Sequence, residues 1–183
     1  MYQPDTDQLL QFKISKDELL DLYPYEYPEY SFDYLTKDNY REFDRDLNRV
    51  VDHHHKDLEG WDGIPDYRKL EQRFAAGSTC YVVRYNDITI GWAWANRKLT
   101  YNWIDIVKDM PENSMYMGGI FVTRNEKRPA HSSMLFLSKW YQFMVKNEKL
   151  DYMYGYTDKW NKASSWMNRR LGWKEQEWMQ LYI

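Results

Sequence analysis

The sequence predicts an α+β protein, and three observations carry that expectation. Apolar residues recur at helical spacing in several stretches, most clearly in residues 132–147. The pattern changes to short apolar runs rich in β-branched and aromatic residues in others, such as Thr79–Tyr85 and Ile88–Asn96. The short turn Asn86-Asp87 joins the last two as a hairpin.

Taken in order, Leu9–Ile14 reads as a first strand and Lys16–Leu22 as a short helix. Tyr23–Tyr34 holds two prolines and five tyrosines and is expected to be a loop, because proline breaks a helix interior. A helix capped by Thr36 or Asp38 should run to about His55 on the stripe Tyr40, Phe43, Leu47, Val50, Val51. After a turn at Glu59–Pro65, Asp66–Ala76 reads as another helix, stopped by Gly77. Residues 97–113 are expected to hold a further strand and a loop. Ser114–Val122 reads as a strand, and its paired Gly118 and Gly119 mark a bulge or a close backbone approach. A helix over Ser132–Asn147 points Leu135, Phe136, Trp140, Phe143 and Met144 inward. A strand at Asp151–Thr157, a helix at Asn161–Leu171 closed by Gly172, and a strand at Lys174–Tyr182 complete the chain.

Composition narrows the function classes. The 183 residues suit one sizeable core, and one domain over 1–183 is expected. Hydrophobic residues make up 43% and aromatics 18%, so Tyr, Trp and Phe should build much of that core. The 25 basic and 28 acidic residues nearly cancel, which argues against a polybasic nucleic-acid or membrane binder. Cys80 is alone, so it forms no intrachain disulfide, and a reducing, cytoplasmic compartment is expected. The first residues show no secretory pattern, and no apolar run approaches the roughly 20 residues of a membrane span. His53-His54-His55 lie about 100° apart on a helix and cannot chelate one ion together, so no metal is expected.

The most informative unit is the strand, loop and helix over 115–147. Arg124, Lys127 and Arg128 stand in the loop, with His131 beside the helix start at Ser132-Ser133. Unpaired N–H groups and the positive dipole end of a helix suit a phosphate, and nearby basic side chains add point charges. An ordinary solvated loop with a Ser cap would carry the same residues.

From about Thr79 onward the chain resembles the GNAT superfamily of acetyl-CoA-dependent N-acetyltransferases. Ile90-Gly91-Trp92 matches the end of that family's hairpin, and Val122 matches the strand end before its pyrophosphate loop. At the family's spacing Lys127 takes the Arg/Gln position, Ala130 and Ser132 the two small positions, and Leu135 the following apolar one. Asn161 and Leu171-Gly172-Trp173 match the second motif. The loop departs from the pattern: it has no glycine and contains Pro129, which removes one N–H donor.

The resemblance implies a mixed, mostly antiparallel sheet flanked by helices. Residues 1–78 would lie on the acceptor side and 79–183 would form the cofactor-binding core. It implies acetyl transfer from acetyl-CoA to a primary amine, with the cofactor in a V-shaped opening between strands 115–122 and 151–157. Ile120, Phe121 and Val122 would pair with the pantetheine arm, and Asn161 would contact it from the other strand. Lys127, Arg128, Ala130, His131, Ser132 and Ser133 would surround the pyrophosphate. The family's tyrosine acid falls at Asn168 and its glutamate base at Tyr116, so neither usual residue is present. Tyr156 and Asp158, at the mouth of the opening, are the candidate substitutes. Six acids and five tyrosines within residues 17–34 suggest a cationic amine acceptor, such as a polyamine, an aminoglycoside or a Lys-containing peptide, held by Glu26, Tyr27, Glu29 and Tyr30. A small-molecule or peptide amine is then the partner, with no nucleic acid and no membrane. The second reading is a GNAT-like fold kept as a binding or structural module without turnover.

Overall fold

The structure, a computed structural model, describes residues 8–21, 28–43, 71, 73–75, 77–101, 105–122, 132–158 and 161–180. Its strands are β1 (Gln8–Ser15), β2 (Tyr30–Leu35), β3 (Thr79–Tyr85), β4 (Ile88–Asn96), β5 (Lys98–Tyr101), β6 (Asp105–Asp109), β7 (Ser114–Val122), β8 (Tyr152–Asp158) and β9 (Lys174–Gln180). Its helices are α1 (Lys16–Leu20), α2 (Ser132–Glu148) and α3 (Lys162–Arg170). Seven strands form one sheet in the order β2-β3-β4-β7-β8-β1-β9, and β5-β6 form a separate hairpin. Every neighbouring pair of the large sheet is antiparallel except β7–β8, which is parallel. The mixed, mostly antiparallel α+β architecture expected from the sequence is therefore present.

The N-terminal strand lies inside the sheet, paired to β8 on one side and β9 on the other. Leu10, Phe12 and Ile14 of β1 face α2 and join Tyr81, Val83, Met115, Met117 and Met153 under Trp140, Tyr141, Met144 and Val145. Tyr141 meets Trp173 edge-on at 5.4 Å. A buried hydrogen bond from Gln142 Nε2 to the Leu19 carbonyl (2.9 Å) ties α1 to α2. A capping box also holds α1: Ser15 Oγ accepts from the Glu18 N–H, and the Glu18 carboxylate accepts from the Ser15 N–H. The opposite face alternates as a strand must. Trp92 and Trp94 lie there, with Phe74 5.1 Å from Trp94 and the Arg73 guanidinium carbon 4.7 Å from it. Burial pulls the Arg73 pKa down to about 10.

Three sequence expectations need correction. The segment expected as a loop up to Tyr34 contains β2: its prolines precede Tyr30, and Tyr30, Phe32 and Tyr34 fit a pleated surface against β3. The region 97–113 holds two strands rather than one. Tyr40–Phe43 is a 3-10 turn, with Thr36 and Asn39 bonding each other ahead of it. Glu71 and Arg73–Ala75 are helical and Gly77 has φ +79°, as the stop signal requires; the rest of both N-terminal helices expected from the sequence lies outside the described residues.

Gly155 marks where Trp173 crosses β8. A Cβ there would stand 3.3 Å from Trp173 Cζ3 and 3.7 Å from Asn168 Nδ2. Gly155→Val should lower stability by about 1–3 kcal/mol, the usual cost of overpacking. Chemical denaturation reads this directly, and an unchanged midpoint would contradict the close seating of Trp173 and α3 on β8.

Candidate functional site

The site begins with a ladder that stops. β7 and β8 pair from Ser114↔Tyr152 to Met117↔Gly155 and no further. Beyond that point β7 stays with β4, through Gly118↔Trp94, Phe121↔Trp92 and Val122↔Gly91. β8 stays with β1, through Gln11↔Tyr156, Leu10↔Thr157 and Leu9↔Asp158. The two parallel strands thus part toward their C-terminal ends. The cause is local: between the Trp94 and Trp92 partners, β7 carries two residues, Gly119 and Ile120, where β4 carries one, Ala93. Such a bulge bends its strand, and glycine tolerates the bend.

Each diverging strand leads to a helix. α2 follows β7 and α3 follows β8, so both helix N-termini lie at the end where the gap opens. Asn161 is the N-cap of α3: its Oδ1 accepts from the Ser164 N–H at 3.0 Å, and its own N–H donates to the Asp158 carbonyl at 2.9 Å. The Thr157 and Ser165 hydroxyls, 3.0 Å apart, fasten α3 to β8.

Strand alternation sorts the candidate residues. Met115 and Met117 of β7 and Met153 of β8 point to the α2 side. Tyr116, Tyr154 and Tyr156 cluster on the other face with Met110. The Tyr116 and Tyr156 rings meet edge-on at 6.1 Å across the two strands. Tyr116 and Tyr154 are buried, and Tyr156 is partly buried. Desolvation, with smaller contributions from Tyr154 and Tyr116, pushes the Tyr156 pKa up to about 12, so this hydroxyl keeps its proton at neutral pH. Asp158 is partly buried beyond it, and desolvation raises its carboxyl above the usual range.

The remaining candidates divide. Ile120 and Val122 are half-buried against the main core at the diverging end of β7, with Phe121 between them. Ser132 and Ser133 open α2. Lys127, Arg128, Ala130 and His131 lie outside the described residues, as do Glu26, Tyr27 and His53-His54-His55. Asn168 is a packed residue, 9% exposed, whose carbonyl accepts from the Leu171 and Trp173 N–H groups. Tyr30 is buried in the main core, its ring 5.0 Å from that of Tyr85. Glu29 stands at the start of β2, where its carbonyl accepts from the Asn86 N–H. β2 is the far edge of the sheet, three strands from β7, so the structure does not bring Glu29 or Tyr30 to the gap. Cys80 is fully buried and its thiol is pushed up by burial, as a packed cysteine should be. No cluster of metal-ligating residues occurs among the described residues. No helix among them is long and apolar enough to cross a membrane.

Sequence reasoning overlooked Tyr154 and Lys13. The signal was the alternation Tyr152, Tyr154, Tyr156, Asp158, which places all four on one face. Lys13 stands opposite Tyr154 in the register.

No protein-family model matches the chain, and no curated protein matches it in sequence. Solved structures do match. A functionally unknown conserved protein from Staphylococcus epidermidis superposes with a TM-score of 0.59 at 12% identity, over 94% of this chain and 59% of that one. A GCN5-related N-acetyltransferase from Kribbella flavida gives 0.54 at 11% identity, over 94% and 56%. The chain thus spans between half and two thirds of the length of those two proteins. AAC(6')-Iy, solved with the bisubstrate analog CoA-S-monomethyl-acetylneamine, gives 0.54 at 19% identity, over 84% of this chain and 97% of that one. With the parted β7–β8 pair and its two following helices, these superpositions show that the chain has the GNAT fold, the fold of the GCN5-related N-acetyltransferases.

Proposed function

We propose that the protein is an N-acetyltransferase that moves an acetyl group from acetyl-CoA to a primary amine. The observation that carries this reading is the ended β7–β8 ladder with two helix N-termini at its open end. A continuing ladder would use the backbone groups of both strands; where it ends, an extended chain bearing amides can take that place. The pantetheine arm is such a chain, and Ile120, Phe121 and Val122 are its partners on β7. Asn161 meets it from the β8 side. Lys127, Arg128, Ala130, His131, Ser132 and Ser133 surround the pyrophosphate, whose charge suits the start of α2.

The reaction then needs few groups. The amine nitrogen forms a bond to the thioester carbonyl carbon, and the carbon–sulfur bond breaks. The nitrogen gives up a proton to Asp158, whose raised proton affinity suits a base. The departing sulfur takes a proton from the Tyr156 hydroxyl, which solvent then restores. Positioning of the amine against the carbonyl supplies much of the rate. Tyr116 forms the floor beside Tyr156, and Asn168 holds α3 against β8 rather than entering the chemistry.

The test is calorimetric. Acetyl-CoA should bind, and Lys127→Glu with Arg128→Glu should weaken it at least tenfold, more at low salt than at high salt. Unchanged affinity in the double variant would remove the pyrophosphate assignment. The packed Asn168, standing where the family has its acid, favours a second reading: a binding module without turnover. Its result would be a rise in melting temperature with acetyl-CoA and no acetylation of any amine.

A further inference from the structure

We infer that the acceptor is a monoamine carried on an aromatic or apolar body, seated on the sheet face formed by Tyr116, Tyr154, Tyr156 and Asp158. This rests on the acetyltransferase reading and names the substrate class of that same site. α2 and α3 both pack on one face of the sheet, so the phosphate end of acetyl-CoA is held there. The acceptor must reach the end of the gap from the opposite face. That face is built from Tyr116 on β7, from Tyr154, Tyr156 and Asp158 on β8, and from the β1 residues opposite them in register.

Its chemistry is one acid among rings. Asp158 is the only acidic residue in the whole of β1, β7 and β8. Tyr156 is the partly exposed ring; it packs edge-to-face at 6.1 Å on buried Tyr116, with buried Tyr154 and partly buried Met110 in the same cluster beneath the site. Rings of this kind bind an apolar or aromatic body and attract one ammonium through their faces. The face shows that attraction within the chain itself: Lys13 Nζ stands 3.8 Å from the Tyr152 ring centre and 5.6 Å from that of Tyr154.

The same Lys13 sets the limit. A ligand ammonium at Asp158 leaves any second ammonium to run toward Lys13 over the tyrosines, where it finds like charge and no carboxylate from these strands. Rejection of a second cation by fixed like charge is a specificity device that needs no contact. The polyamines and aminoglycosides suggested by the acidic, tyrosine-rich segment 17–34 are therefore the poorer acceptors. Of that segment's candidate residues, Tyr30 belongs to the core and Glu29 lies at the far sheet edge.

Steady-state acetylation by the full chain decides the matter, with 2-phenylethylamine, spermidine and kanamycin as acceptors. The expected result is a kcat/KM for 2-phenylethylamine at least tenfold above that for either polycation. Lys13→Glu should shrink this ratio several-fold by favouring spermidine, and Lys13→Gln, the milder change should the first fail to fold, should shrink it less. Equal or greater activity on spermidine or kanamycin overturns the inference. So does a ratio that neither Lys13 variant moves. Acetyl-CoA binding with acetylation of the polycations but not of 2-phenylethylamine overturns the acceptor inference alone, whereas no acetyl-CoA binding, or binding with no amine acetylated, overturns the acetyltransferase reading and this inference with it.

Discussion

Replacing Trp140 by alanine should lower the unfolding free energy by about 3–5 kcal/mol, the range for removing a large buried aromatic. Trp140 is 0% exposed at the centre of α2, in the cluster that joins α2 to β1, β3, β7 and β8. Its indole Nε1 has no hydrogen-bond partner among the described residues, so the side chain is held by packing. A cavity of that size cannot collapse fully, because the sheet beneath it is fixed by its ladders. For a chain of this length each kcal/mol shifts the melting temperature by about 2–4 °C, so calorimetry should record a fall of about 6–20 °C. The site should follow the core. Ser132 lies eight residues before Trp140 on the same helix, about 12 Å along its axis. A loosened α2 would therefore misplace the helix start proposed to hold the pyrophosphate. A loss below about 1 kcal/mol would mean that α2 is not seated through Trp140.

Much of the fold was legible because its strongest signals are local. Thr79–Tyr85, Ile88–Asn96 and Ser114–Val122 are strands over the same residues as their apolar, β-branched and aromatic runs, and Asn86 and Asp87 both take positive φ, as a tight hairpin turn requires. Gly172, with φ +81°, ends α3 where the glycine stop signal stands. β2 was hidden because Pro24 and Pro28 dominate its neighbourhood, while its three alternating aromatics declare a strand only once β3 is beside them. The site divides in the same way. Gly118-Gly119 announced a bulge, but the parting of β7 from β8 is an absence of pairing, and no residue pattern encodes a missing ladder. Tyr30 looked like an acceptor residue from composition, yet burial against Tyr85 is a property of sheet order. Lys13 carried no signal at all until register placed it opposite Tyr154.

Asp158→Asn should reduce kcat by about 10²–10⁴-fold, the usual range for losing a positioned base, while acetyl-CoA affinity stays within a few-fold. It should also stabilise the protein at neutral pH, and this second effect separates the functional role from a structural one. The sign follows from linkage. Desolvation raises the Asp158 carboxyl above its unfolded value, and its own backbone N–H offsets only part of that. The folded state therefore favours the protonated form. The stability linked to that form is complete below the unfolded pKa and is lost as pH rises through the folded one, so at pH 7 the carboxylate is a net cost to folding. Asparagine keeps the shape without the charge, and the Asn161 N–H still finds the residue 158 carbonyl, because that bond is made by the backbone. The melting temperature of Asp158→Asn should accordingly match or exceed that of the parent at pH 7, with the two curves converging as the pH is lowered toward 4. The acid limb of the kcat profile should disappear in the variant. Were Asp158 only a structural residue at the end of β8, kcat would stay within about twofold of the parent, and that outcome would remove it from the chemistry.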